Sequence, residues 1–583
     1  MKMKKLPVGK SDFKRIIEEN YYYVDKTLLI KEVIDSGDSI LLIPRPRRFG
    51  KTLNLSMIGY FYACNPVTWE PEIESPETNK SGKGTPVLVS YKHLFDSLAI
   101  STTGPEYLDK MSQYPVISLS FKDIKNNDWD SCLDNIKDLI RIAYTTHYSI
   151  FESMTLMPHE KEYIRGILDQ TGTKSDYANS LKNLLIFLSR FYNRRVVVLV
   201  DEYDTPIHAG FANGYYDEIV NFMRIFLGGG FKDVDAYLEK GILTGIMRIA
   251  RESFFSDLNN LGVYSLLSKK FSSCFGFTET EVRTMLCDFN VSDMLEQVQF
   301  WYNGYRFGEK VIYNPWSIIN FLNSGDNELK PYWVNTSDNT IVNSLLSRGG
   351  KELKKELEQL IRGETIEKPV NENIVLRDIE KEEELLWSFL LMGGYLKQEG
   401  GRRLNRRMYY MLSIPNEEVK TSYDQVIRRY FDSKIENERL EILLKALIDG
   451  DIELFEELLG EFVLKAFSYH DFNIEPENVY HALVMGLLVW ISDTHDIKSN
   501  RESGFGRYDI MIIPKDVTKI GYVIEFKTVR KTKSETVEIA VEKALKQIEE
   551  KKYETELIER GIKNIKKLAI VFNGKDVHVK EGI

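Results

Sequence analysis

The sequence predicts an α/β protein: a parallel sheet in the first half, a helical lid and middle region, and a smaller α/β module at the C-terminal end. Three observations predict it. Residues 21–265 alternate apolar strand-like runs with helical segments, the pattern of a parallel sheet with crossover helices. Within them, Ile40–Ile43 and Val196–Val200 are unbroken apolar runs, as expected of strands buried on both faces. From Pro476 onward the texture becomes helix, three strands, a long charged helix and a final strand.

The elements follow in chain order. "SDFKRIIEEN" (11–20) reads as a lead-in helix with Ser11 at its N-cap. The strand Ile40–Ile43 then runs into "PRPRRFGKT", and Leu53, Leu55, Met57 and Ile58 begin an apolar helix. Strand, Gly-Lys-Thr and helix make a phosphate-binding loop: backbone N–H groups at a helix N-terminus attract phosphate. Lys51 would reach the outer phosphates and the Thr52 hydroxyl would ligate Mg²⁺. Arg45 stands where the loop's first glycine is usual, Pro44 and Pro46 stiffen the turn, and Arg45, Arg47 and Arg48 add positive charge. A basic surface turn is the alternative for this stretch alone.

Residues 70–87 are polar and carry Pro and Gly, so they read as a loop insertion, and Tyr114–Phe121 is a further strand. Val196–Val200 ends in Asp201 and Glu202, at the carboxyl end where parallel sheets place ligands. Asp201 would hold Mg²⁺ and Glu202 would polarise the attacking water. The short strand Ile242–Ile246 contains Thr244, which senses a γ-phosphate or serves as a core hydroxyl. Beyond it, Arg248 or Arg251 would stabilise transferred charge unless used in ordinary ion pairs. A helix from Thr278, with "WYNGYRF" and "YNPWSIINF", forms a lid whose Trp301, Tyr302, Tyr305 and Trp316 read as core. Residues 350–470 read as mostly helical, with a strand-like piece near 408–416.

Composition bounds the function. At 583 residues the chain exceeds one core, and 43% hydrophobic with 28% charged residues is ordinary globular composition. A net charge of −10 excludes a generally basic surface, so nucleic-acid contact has to be local. Residues 476–583 are less acidic, with 19 Lys and Arg against 17 Asp and Glu. No apolar signal segment follows Met1, and the longest apolar run, His481–Ile491, has 11 residues, against roughly 20 needed to span a bilayer. Four scattered cysteines, without a C-x-x-C pair, fit a reducing compartment and no structural zinc. The expected location is therefore cytoplasmic, with no membrane partner. No G-x-S-x-G motif supports a serine hydrolase.

Taken together, "LPVGKSDFKRIIEENYYYVDKT", "PRPRRFGKTLNLSM", "VVVLVDEYDTPI", "RESFFSDLNNL", "WYNGYRF" and "YNPWSIINFL" resemble the prokaryotic AAA-ATPase-like family. Its members commonly carry a C-terminal domain of the PD-(D/E)XK nuclease superfamily. The resemblance covers nearly the whole chain and includes Arg45 as a family feature. It implies a P-loop NTPase domain over 1–265, a lid over 266–345, a mostly helical region over 346–470 and a nuclease-like domain over 471–583. It also implies ATP and Mg²⁺ as cofactors, and Asp25 and Lys26 near the nucleotide. The expected nucleotide-binding set is Arg47, Arg48, Phe49, Gly50, Lys51, Thr52, Asp201 and Thr244, with Glu202 and Arg248 catalytic.

In the C-terminal module the order of elements, with "DIKSNRE" as a first strand, matches the PD-(D/E)XK core. Its chemistry is divalent-metal phosphodiester hydrolysis, with Mg²⁺ or Mn²⁺ and DNA or RNA as partner. Asp509 lies in one strand, and Glu525 and Lys527 share one face of the next. Asp509 and Glu525 would ligate metal, Glu477 would complete the shell, and Lys527 would orient water or offset phosphate charge. Gln547 and Tyr553 on the long helix would face the same site. Charged groups interrupting an apolar strand are costly unless paired or metal-bound, so an Asp509–Lys527 ion pair is the structural alternative. Two functional alternatives stay open: a nucleotide-driven switch rather than a motor, and a C-terminal domain that only binds nucleic acid or protein. A homo-oligomer also stays open.

Overall fold

The computed structural model describes residues 4–65, 88–148, 151, 156–249, 260–333, 351–361, 363–374, 376–379, 383–423, 437–466, 484, 487–491, 494–499, 502–503, 506–529 and 536–582. The expected insertion at 70–87, Arg251, and Glu477 with most of the helix expected at 476–492 lie outside the described residues. The chain forms two compact units, residues 1–345 with 365–420, and residues 346–364 with 421–583. The middle region is therefore divided between two bodies.

In the first unit, α1 (Phe13–Glu18) is capped by Asp12, one residue after the expected Ser11. The Asp12 carboxylate accepts from Arg15 N at 2.8 Å and from the buried Tyr60 hydroxyl at 2.7 Å. Strand β1 (Ile40–Pro44) leads through the loop into α2 (Lys51–Tyr62). β2 (Val116–Ser120), β3 (Val196–Asp201), β4 (Leu238–Gly245) and β5 (Leu261–Val263) complete a parallel sheet ordered β2-β3-β4-β1-β5. β4 lies between β1 and β3. In register, Ile43 is beside Thr244 and Val200 beside Leu243, so the carboxyl ends of the three strands converge. All five residues of β1 and all six of β3 are buried.

Beyond the sheet, over the residues expected as a helical lid, β6 (Phe277–Thr278), α3 (Glu279–Asp288), β7 (Tyr305–Phe307), β8 (Lys310–Tyr313) and α4 (Pro315–Asn323) include a three-stranded sheet ordered β6-β8-β7. Thr278 caps α3, and Glu281 reaches back to the Thr278 N–H at 2.7 Å. Tyr302 and Tyr305 are buried in the lid. The segment that follows is less helical than expected. It contains β9 (Ile366–Pro369), the buried helix α5 (Glu383–Met392), and a hairpin of β10 (Lys397–Leu404) with β11 (Arg407–Ser413). β11 is the central strand of these three, antiparallel to both neighbours.

In the second unit, β12 (His495–Ser499), β13 (Ile510–Pro514), β14 (Gly521–Thr528), β15 (Ile565–Asn573) and β16 (Asp576–Glu581) form one sheet in that order. Only β14 and β15 pair in parallel. Ile510, Ile512, Tyr522, Ile524 and Phe526 face a core shared with helices Asn437–Asp449 and Ile452–Ala466. Met511, Ile513 and Val523 face the opposite way, toward Ile548 and Leu557. The charged helix expected to run about 25 residues stops at α6 (Val537–Lys551), because Lys552 turns left-handed at φ 53° before a short α7 (Thr555–Glu559). β16 was not anticipated.

Candidate functional site

The loop between β1 and α2 is shaped by its surroundings. Arg45, in the usual glycine position, is fully buried. Its guanidinium donates to the carbonyls of Pro44 (2.7 Å), Tyr264 (2.7 Å) and Phe271 (3.0 Å). It thus serves the protein interior, not the charge expected beside a phosphate. Burial lowers its pKa to about 10, which leaves it charged at neutral pH. The left-handed conformations fall later, at Arg48 (φ 67°) and Gly50 (φ 81°), so position 45 has no need of glycine.

Three successive loop residues are gripped by the lid. The Arg47 carbonyl accepts from the Trp333 indole at 3.1 Å. The Arg48 guanidinium lies 4.2 Å over the Trp316 ring, and Phe49 packs edge-on against Tyr305 at 4.9 Å. Burial lowers the Arg48 pKa, opposed by the nearby Glu202.

At the floor of the loop, Lys51 is buried and its ammonium donates to the carbonyls of Arg45 (3.0 Å) and Pro46 (3.1 Å). Burial lowers its pKa against the fields of Glu202, Asp201 and Asp204. Asp201 is 0% exposed and accepts from two hydroxyls, Thr52 Oγ1 on Oδ2 and Thr244 Oγ1 on Oδ1, each at 2.6 Å. Burial and the neighbouring Glu202 raise its pKa despite these bonds. Glu202 is left-handed (φ 49°) and accepts from Thr205 Oγ1 at 3.2 Å. The structure therefore brings Gly50, Lys51, Thr52, Asp201, Glu202 and Thr244 together. A hydroxyl beside a carboxylate is a hard-oxygen donor set suited to Mg²⁺.

Other expected residues have different surroundings. Arg248 lies on a two-residue strand, Arg248–Ile249, paired with Asn373–Ile374. Asp25 accepts from Thr27 and from Ala99 N, while Lys26 donates to Ser273 O and to both Glu281 oxygens. Asp25 thus ties the N-terminal segment to the turn of helix at Ala99–Thr102, and Lys26 ties it to Ser273 and Glu281.

Asp204 was missed by sequence reasoning. It is buried and accepts from the backbone N–H groups of Ile246 (2.7 Å) and Met247 (3.2 Å), with His208 at 3.4 Å. Burial opposes its ionisation, but His208 and the Ile246 N–H outweigh that and lower its pKa. It ties the turn after Glu202 to the end of β4. Its spacing, three residues beyond Asp201, was the available signal.

In the second unit, Asp509 immediately precedes β13, beside Glu525 in the antiparallel register. Asp509 Oδ2 accepts from Phe526 N at 2.7 Å, and Lys527 Nζ lies 2.8 Å from Glu525 Oε1. Lys527 therefore pairs with Glu525 on its own strand. Glu525 is 2% exposed. Gln547 donates to the Tyr553 hydroxyl at 3.2 Å. Burial raises the Tyr553 pKa, Gln547 opposes this, and the fields of Glu525 and Asp509 add to it. Two carboxylates with an adjacent ammonium suit a divalent cation and phosphate in chemistry. Among the described residues no three His, Cys, Asp or Glu side chains converge as a metal-binding group, and Glu477 is not among them.

Comparison with known proteins agrees with this division. Residues 7–70 and 89–255 match the model of a predicted AAA-ATPase family. Residues 475–582 match the PD-(D/E)XK nuclease superfamily. An uncharacterized protein from the vnfD 5' region of Azotobacter chroococcum mcd 1 is 28% identical over 433 residues, covering 73% of this chain and 70% of that protein. The N-terminal segment is thus similar to the predicted AAA-ATPase family and the C-terminal segment to the PD-(D/E)XK nuclease superfamily.

Proposed function

We propose that the first unit binds and hydrolyses ATP with Mg²⁺, and that the second cleaves nucleic acid with a divalent metal. The observation that carries the first half is the single buried carboxylate of Asp201, hydrogen-bonded at once to Thr52 and Thr244. That contact joins three separate sequence motifs into one centre. In this reading the N–H groups at the start of α2 hold the phosphates, and Lys51 exchanges two neutral carbonyl acceptors for phosphate oxygens. Glu202 accepts the proton of the attacking water, and Thr244 senses the γ-phosphate through Asp201. Mg²⁺, held by Thr52 and Asp201, would neutralise charge on the phosphate oxygens. Lys51→Ala should abolish binding of a fluorescent ATP analogue while the protein stays folded, with thermal melting as the control. Unchanged binding would remove the assignment. Glu202→Gln should retain ATP and lose most turnover.

For the second half, the support is the juxtaposition of Asp509, Glu525 and Lys527 on one sheet face. The carboxylates would hold the metal, which supplies charge to the phosphodiester, and Lys527 would orient the attacking water. Asp509→Ala should reduce Mn²⁺-dependent cleavage by about 10²-fold or more while ATP binding survives. One observation favours a second reading, a binding module controlled by a nucleotide switch. Lys527 lies 2.8 Å from Glu525 Oε1 and Asp509 accepts from Phe526 N, contacts that a purely structural role would also use. Wild-type protein that cuts no nucleic acid under any metal, yet binds it in an ATP-dependent way, would establish that reading instead.

A further inference from the structure

The hairpin β10–β11 is chemically unlike the rest of this acidic chain. Residues 397–413 carry five basic side chains and one acidic one, in a protein of net charge −10. Its tip is a two-residue turn, with Leu404 paired to Arg407 and with Asn405 and Arg406 left-handed at φ 48° and 68°. Every residue from Gly401 to Met408 is exposed. Pro369 is the last β9 residue in register with β11, and one further backbone bond runs from Val370 N–H to the Met408 carbonyl at 3.1 Å.

The four arginines differ. Arg402 makes two bonds to Glu367, at 2.5 and 2.7 Å, and Arg407 lies 3.1 Å from Glu384. These pairs tie the turn end of the hairpin to β9 and α5. Arg403 and Arg406 have no ion-pair partner among the described residues, and both lie in the exposed tip. Beside Arg402 a hollow of about 350 Å³ is bordered by Gly400, Gly401, Tyr409, Met411 and Glu367, whose carboxylate is paired with Arg402. An arginine-edged, two-stranded ribbon with a hollow on its flank suits a convex, regularly charged partner. The major groove of duplex DNA admits a two-stranded ribbon, and its phosphates accept bidentate guanidinium contacts.

We infer that the β10–β11 hairpin is a duplex-DNA contact in which Arg403 and Arg406 bind the phosphate backbone, supplied by the first unit and distinct from the Asp509–Glu525 centre. The partner class rests on the nucleic-acid reading of the second unit, but the hairpin's binding needs no cleavage there. The alternative is a charged edge that only keeps β10 from pairing with other chains.

The test uses the full chain with divalent metal chelated, so that no cleavage occurs. Binding of a fluorescent duplex is followed by anisotropy from about 50 to about 200 mM salt. Arg403→Ala with Arg406→Ala should weaken binding about tenfold and lower the log–log salt slope by about 2, since each released phosphate contact contributes about 0.9. Arg403→Lys with Arg406→Lys should keep most of that slope, because the charge remains. Both changes are on exposed side chains, so the melting curve serves as a folding control. Unchanged affinity and slope in the alanine variant would overturn the proposal, as would wild-type protein that fails to bind duplex at all. Cleavage assays with Mn²⁺ then separate the two readings. Loss of binding in the hairpin variant with no cleavage by any form sinks the nuclease reading and leaves the hairpin standing. Normal cleavage with normal binding in that variant sinks the hairpin alone.

Discussion

Glu418 shows how one residue can link distant parts of the first unit. It is fully buried, and its carboxylate accepts from the Ser317 hydroxyl at 2.7 Å and from Trp333 N at 2.7 Å. The same Trp333 donates its indole N–H to the Arg47 carbonyl of the nucleotide loop. Burial raises the Glu418 pKa to about 7, even though these donors favour the charged form. The native state therefore holds this proton over a range in which the unfolded chain has already lost it. Stability should fall as pH rises from about 4.5 to about 7, by roughly 3 kcal/mol at most, and level off above that. Glu418→Gln keeps the acceptor for Trp333 and removes the charge. The variant should melt higher than wild type at pH 8, and the two should converge near pH 5. A wild-type excess at pH 8 would show that the ionised form is the stabilised one.

The nucleotide loop is the element whose sequence was hardest to interpret. A missing first glycine suggests damage, yet the turn there needs no left-handed residue, and the Arg45 side chain fills the space behind the loop with three hydrogen bonds. Restoring the usual residue, Arg45→Gly, should therefore harm the protein. It removes a buried guanidinium and leaves carbonyls unpaired, at a cost on the order of 3 kcal/mol. Thermal melting should show the loss, and nucleotide affinity should fall with it rather than improve. The hairpin was obscure for a related reason. "KQEGGRRL" is polar and glycine-bearing, against strand propensity, and the turn residue after Asn405 is arginine where glycine is the usual signal. Pairing with the central strand β11 decides its structure.

At the scale of the molecule, each unit has its own sheet and its own chemistry, and the chain passes between the units within the middle region. Lys51→Ala removes a contact in the first unit only. It should leave metal-dependent cleavage of a simple duplex within about twofold of wild type if the C-terminal centre is intrinsically active, the usual independence of separate cores. Loss of cleavage together with nucleotide binding would show that ATP gates the second unit, and assays with and without ATP would confirm it. No helix among the described residues is long and apolar enough to cross a membrane.

The sequence by itself determined the elements whose chemistry is local. Unbroken apolar runs specified β1 and β3, Gly-Lys-Thr specified the start of α2, and carboxylates interrupting an apolar run marked Glu525 and Asp509. Backbone periodicity and side-chain type suffice there, because a buried strand tolerates few residue types and a charge within one is conspicuous. Only the tertiary structure decided which way the ambiguous side chains turn. Arg45 goes to the interior while Arg48 goes onto Trp316, Lys527 joins Glu525, and Asp201 is shared between Thr52 and Thr244. Apart from Lys527 and Glu525, two residues apart on one strand, these partners lie tens to hundreds of residues apart in the chain. Their choice follows from strand order and register, which no local pattern encodes.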